Sequence, residues 1–149
     1  MYGISKEIRA TFAVLTTPSY GTIKPALTRL ENSGFVKKQK TMSEGGRPSC
    51  YYSITKEGVE ELKHLIMAPP PENPIQFFTT ARVKLACSDC LNNEEQLTML
   101  RQLKLKAENI LLDTQNMMRD KELSFYPKMV FDNLTCEYKN FISLLEGFE

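Results

Sequence analysis

Apolar residues recur at two different spacings along this 149-residue chain, and a run of prolines separates the two regimes. Ile4 and Ile8 stand four apart, opposite Lys6, Glu7 and Arg9, which predicts an amphipathic helix at the very start. Phe12, Val14 and Leu15 follow among threonines and small residues, a pattern that suits a short strand or an extended connector. After the turn Thr16-Thr17-Pro18-Ser19, apolar Ile23, Leu27 and Leu30 recur at i, i+4, i+7. That spacing predicts a helix to about Ser33, with Ser19 as its cap and Gly34 as its left-handed stop. Pro25 deletes an amide inside that helix and is expected to bend it. Residues 35–41 and 50–54 read as strands joined by the turn-rich tip 43–48, and Thr55 caps a helix whose Val59, Leu62 and Ile66 stripe closes over the hairpin.

The segment Ala68-Pro69-Pro70-Pro71-Glu72-Asn73-Pro74 cannot continue a helix, because its prolines remove donors and force extended geometry. It divides the chain into a domain at 1–67, a linker at 68–74 and a domain at 75–149. Beyond it the periodicity is helical throughout, over about 75–88, 93–120 and 125–147. Leu100, Leu103, Ala107, Ile110, Thr114 and Met117 alternate three and four apart, the spacing of a heptad seam. Val130, Leu134, Tyr138, Phe141 and Leu145 line one side of the last helix. Three helices offer too little surface to cover both stripes. A second copy is therefore expected, with Leu100, Leu103, Ala107, Ile110, Met117, Leu134, Tyr138 and Phe141 as the dimerisation residues.

Composition adds a class and charge adds a polarity. An apolar content of 42% with 25% charged residues is that of an ordinary globular protein. The net charge is only +1, yet residues 1–66 hold ten basic against six acidic residues and residues 67–149 hold nine against twelve. The N-terminal part is therefore the candidate for contact with a polyanion. Cys50, Cys87, Cys90 and Cys136 occur with no apolar run of membrane-spanning length, which reads as a cytoplasmic protein with free thiols and no membrane partner.

The helix after Pro18 turns Ser19, Tyr20, Thr22, Lys24 and Thr28 away from its apolar stripe. Hydroxyls and one ammonium near a helix N-terminus can meet phosphate oxygens and base edges. The same pattern also describes a merely solvated face. Lys37, Lys38, Lys40 and Arg47 then gather on and beside the hairpin with only Glu44 opposing them, as a wing laid along a phosphate backbone requires. Lysines that protect an edge strand are the structural alternative. Together these parts predict a mainly α fold with a small β-hairpin, an N-terminal winged helix-turn-helix followed by a C-terminal helical dimerisation domain.

The motifs Tyr2-Gly3-Ile4, Gly21-Thr22-Ile23-Lys24-Pro25-Ala26-Leu27, Glu44-Gly45-Gly46-Arg47-Pro48 and Tyr51-Tyr52-Ser53-Ile54-Thr55-Lys56-Glu57-Gly58 resemble, in order and spacing, the winged-helix domain of PadR-type transcriptional regulators. The resemblance covers residues 2–66. It implies a homodimeric repressor that binds double-stranded DNA at a pseudo-palindromic operator and dimerises through C-terminal helices. It puts Ser19, Tyr20, Gly21 and Thr22 at the start of the recognition helix. Two departures stand out. Lys24 occupies the place where the family usually has Tyr, and Ser49-Cys50 precede the tyrosine pair where family wings commonly carry Arg or Lys, so the wing leans on Arg47 and on the strand from Lys37 to Lys40. The family's first helix has no counterpart before Met1, and the expectation is that the true start lies upstream.

Other chemistry is sparse. Cys87-Ser88-Asp89-Cys90 has the spacing of half a zinc site or a redox pair, but no second cysteine pair accompanies it. His64 is the lone histidine and has no nucleophile at a suggestive spacing. No phosphate loop or nucleophile elbow is present, so neither an enzyme nor a cofactor is expected. Aromatic and methionine side chains of the C-terminal part suit a core or an interface, and leave a small-molecule effector open as a further partner. Two rivals to the DNA-binding reading are a helical interaction module with a degenerate winged helix and a thiol- or metal-responsive regulator.

Overall fold

The computed structural model describes residues 2–12, 18–42, 46, 48–119 and 122–148. The order is α1 (Tyr2–Phe12), α2 (Tyr20–Asn32), β1 (Val36–Met42), β2 (Pro48–Ile54), α3 (Lys56–Met67), α4 (Pro74–Ala86), α5 (Asn93–Arg119) and α6 (Phe125–Glu146), with a short 3-10 turn at Ser88–Cys90. The chain is thus mainly helical with one antiparallel two-stranded hairpin. It forms two compact units, Met1–Ile66 and Met67–Glu149.

In the first unit, Phe12 ends α1 rather than starting a strand or connector, because it continues the four-residue spacing of Ile4 and Ile8. Val14 and Leu15 lie outside the described residues. Ser19, extended at φ −73 and ψ 161, begins α2 by accepting from the Thr22 amide at 3.3 Å. The helix runs on through Pro25 and stops at Gly34, whose φ of 76 lets the Phe35 amide return to the Leu30 carbonyl at 2.9 Å. Of the apolar stripe on α2, Ile23 is buried, Leu27 half-buried and Leu30 exposed.

The hairpin pairs Val36 with Ile54 at one end and Met42 with Pro48 at the other. Its base is fastened to the following helix by a compact joint. The Thr55 amide donates to the Phe35 carbonyl at 3.0 Å, and its hydroxyl donates to the Gly34 carbonyl at 2.7 Å. The same hydroxyl accepts the Gly58 amide at 3.0 Å, which caps α3. Gly58 packs so tightly that a Cβ there would lie 2.1 Å from the Phe35 carbonyl oxygen.

The second unit begins with Asn73, whose side-chain oxygen accepts from the amides of Ile75 and Gln76 and so starts α4. Asn92 and Glu95 form a reciprocal capping box at the head of α5. Helices α5 and α6 run antiparallel, since Lys104 meets Glu146 at 3.3 Å while Thr135 meets Met118. Phe77 and Phe78 of α4 stack against Tyr138 and Phe141 of α6, with ring centroids 4.6 to 6.0 Å apart. The seam residues Leu100, Leu103, Ala107 and Ile110 are buried in this unit together with Tyr138 and Phe141; Leu134 is half-buried and Met117 exposed. Most of the stripe assigned to a second copy therefore belongs to the core of one protomer. Helix α6 packs along α5, and the two phenylalanines of α4 cover Tyr138 and Phe141.

Candidate nucleic-acid interface

Helix α2 presents Ser19, Tyr20, Gly21, Thr22, Lys24 and Thr28 on its exposed side. Some of their hydrogen-bonding capacity is already used within the helix. The Ser19 and Thr22 hydroxyls bond each other at 3.0 Å, and the Thr28 hydroxyl donates to the Lys24 carbonyl at 3.1 Å. Tyr20, 48% exposed, and Lys24 project their polar groups without such an internal engagement among the described residues. Pro25 offers no amide to the Gly21 carbonyl, leaving that acceptor open in the first turns of the helix.

Lys37, Lys38 and Lys40 are all exposed on β1, but strand alternation divides them. Lys38 and Lys40 stand opposite Tyr52 and Cys50 on one face of the hairpin; Lys37 shares the other face with Gln39, opposite Ser53. The Lys38 ammonium lies over the Tyr52 ring, 5.8 Å from its centroid. Tyr52 first, and Glu31 second, raise its pKa above the usual lysine value, so it is cationic at any physiological pH. Arg47 lies outside the described residues.

A cleft of about 820 Å³ brings part of this set together. Lys24 and Thr28 from α2 and Lys38, Cys50 and Tyr52 from the hairpin line it, facing Ile4, Glu7 and Ile8 of α1. Sequence reading placed the cations but not the contribution of α1. It gave Thr55 as the cap of α3 but not its ties to Gly34 and Phe35, whose one signal was a glycine in the first turn of a capped helix, where its poor helix propensity asks for a reason.

The remaining candidates are not gathered into a site. His64 is exposed and approaches Glu61 at 4.0 Å. The Cys90 thiol donates to the Cys87 carbonyl at 3.2 Å. Burial first, and the neighbouring Cys90 second, push the Cys87 thiol up, away from the thiolate form that reacts. Among the described residues no group of three or more His, Cys, Asp or Glu is placed to hold a metal, and no helix is long and apolar enough to cross a membrane.

The geometry of helix, hairpin and capped helix has a counterpart among known families: residues 1–64 match the Transcriptional regulator PadR-like family. This segment is PadR-like. The family that this segment resembles is one of transcriptional regulators. The PadR-like segment coincides with the more basic part of the chain. Over 98% of its length the chain is also similar to solved structures. One is Bacillus subtilis PadR in complex with operator DNA, at 21% identity over 86% of that chain and a TM-score of 0.44. Another is smu.1604c from Streptococcus mutans UA159, at 20% identity over 87% of that chain and a TM-score of 0.44. A third is Bacillus subtilis PadR in complex with p-coumaric acid, at 21% identity over 85% of that chain and a TM-score of 0.41. No curated protein matches the chain.

Proposed function

We propose that the protein is a homodimeric, sequence-specific repressor that reads double-stranded DNA with α2 and steadies itself on phosphates with the β1 lysines. The observation that carries this reading is the pairing, within one PadR-like segment, of an exposed polar helix N-terminus and an exposed cationic strand. Tyr20, Gly21, Thr22 and Lys24 are the base-edge and phosphate candidates, with Ser19 setting the start of the helix and Thr28 at the far end of the same face. Lys37, Lys38, Lys40 and Arg47 supply sequence-independent affinity.

Two copies are joined through residues 75–149, and the residues 1–67 of each copy act as its DNA-binding domain. Because the seam is internal to the protomer, the dimer face is taken to be the exposed start of α6. There Phe125, Tyr126, Met129 and Val130 lie on one side of the helix and are 53 to 78% exposed. Two recognition helices then address half-sites about one helical turn, roughly 34 Å, or a multiple of it apart. A small molecule bound in the C-terminal unit is the proposed releasing signal.

The test is a titration of the full chain against DNA from upstream of its own gene over a range of salt concentrations. Two chains should bind per operator. Replacing Lys37, Lys38 and Lys40 with Ala should reduce the slope of log affinity against log salt by about 1 for each phosphate no longer neutralised, with sequence preference unchanged. An unchanged slope would remove the wing from the interface, and the absence of binding at low salt would favour the interaction-module alternative.

A further inference from the structure

The C-terminal unit contains a cleft of about 590 Å³ between α4, α5 and α6. Its apolar wall is made by Ile75 and Phe78 of α4, Ile110 and Met117 of α5, and Phe131 and Leu134 of α6. The volume is that of a pocket for a drug-sized molecule, and of its lining residues Met117 and Ile75 are 55% and 85% exposed. The Met117 thioether can adapt its shape to a bound molecule.

The charges around this wall are unequal. Among the described residues that line it, Glu72, Asp113 and Glu137 stand against two cations, Arg82 and Lys106. Lys106 bonds to Glu72, and Arg82 lies 3.5 Å from Glu137 while its guanidinium also sits 5.4 Å from the centroid of Phe78. Both cations therefore have carboxylate partners. Asp113 has no ion-pair partner among the described residues. An anion entering the cleft would meet an uncompensated carboxylate and two cations whose charge is already balanced by carboxylates. A neutral ligand would gain the apolar wall alone. A cation would gain that wall, the Asp113 carboxylate and the faces of the aromatic rings.

We propose that the α4–α5–α6 cleft binds an amphipathic monocation, an organic amine or onium ion with an aromatic or bulky apolar body. Its charge sits at Asp113 and its body rests on Ile75, Phe78, Phe131 and Leu134. Binding depends on the C-terminal unit alone; only its use as the releasing signal rests on the DNA-binding reading above.

Calorimetric titration of the full chain in sodium buffer with tetraphenylphosphonium and with tetraphenylborate compares two ions of similar size and opposite charge. The phosphonium should bind saturably, one per chain, and at least about tenfold more tightly than the borate. Asp113 is exposed, so Asp113→Asn should keep the wild-type circular dichroism; it should weaken phosphonium binding about fivefold and leave the borate unweakened. Phe131→Ala should weaken both ions. Equal affinity for the two ions, failure of the phosphonium to bind, or an unchanged phosphonium affinity in Asp113→Asn overturns the proposal. DNA binding measured on the same samples separates the two readings: a chain that takes up phosphonium but no DNA upholds the cleft and overturns the repressor.

Discussion

In the C-terminal unit, twelve apolar side chains from Phe77 to Leu145 are buried among the described residues, and four aromatic rings stack together. In the N-terminal unit, the buried apolar side chains among the described residues are Ile23 and Ile66. What is buried beside them is of another kind: Ser5, Thr55 and Gly58. One unit is organised by side-chain packing of helices. The other relies on backbone geometry at a joint, where Thr55 ties the end of α2 to the start of α3 and Gly58 admits the Phe35 carbonyl. The contrast suits the proposed division of labour. A reading head needs its helix and wing held in fixed register by local bonds, while a platform for a second copy needs bulk stability.

Truncation should therefore be most costly in the second unit, and added volume most costly in the first. Phe77→Ala removes a ring with no exposed surface from a four-ring cluster and should lower stability by about 4 kcal/mol, read from urea denaturation. A loss under about 1 kcal/mol would mean that α4 repacks freely and that the aromatic cluster is not the organising core. Next in size, Gly58→Ala forces a methyl group against the Phe35 carbonyl and should cost about 3 kcal/mol, with loss of DNA affinity. Amide exchange should localise that damage to Gly34–Thr55 and α3 while α5 stays protected. Uniform loss of protection in both units would erase the contrast.

Local rules explain what was legible in the sequence. Ser19, Gly34, Asn73 and Pro74 mark helix ends because caps and left-handed stops are decided within a few residues, and the strands shift only by a residue or two from their expected bounds. The seam from Leu100 to Ile110 was equally visible as an apolar stripe. Its destination was not, since spacing shows that a face is covered without saying what covers it, and here helix α6 packs along α5 from within the chain. The cations of β1 were legible as a group, whereas their separation onto two faces depends on strand register, which only the pairing of Lys38 with Tyr52 reveals. Gly58 was visible as an oddity and the carbonyl it accommodates was not, because Phe35 lies more than twenty residues earlier in the chain.

The smallest expected effect concerns Lys84, the charged residue that is buried among the described residues. Its side chain is 5% exposed and its ammonium donates to the Ala68 carbonyl. Burial lowers its pKa below the ordinary 10.5, so between the lowered value and 10.5 the unfolded chain holds a proton that the folded chain has released. Stability should then rise with pH through that window, while at neutral pH the full cost of burying the charge is present. Lys84→Met removes both the charge and its bond to Ala68, opposing terms whose sum should stay within about 1 kcal/mol at pH 7. Above that pH the two proteins should diverge, the wild type gaining relative to the variant as the window is crossed. Cys87, whose raised pKa acts in the opposite direction above its ordinary 9.0, is common to both and drops out of the difference. Urea midpoints measured from pH 7 to pH 10.5 would show the divergence; parallel curves would mean that the Lys84 ammonium is solvated, and that the packed unit tolerates a charge no better buried than those on the wing.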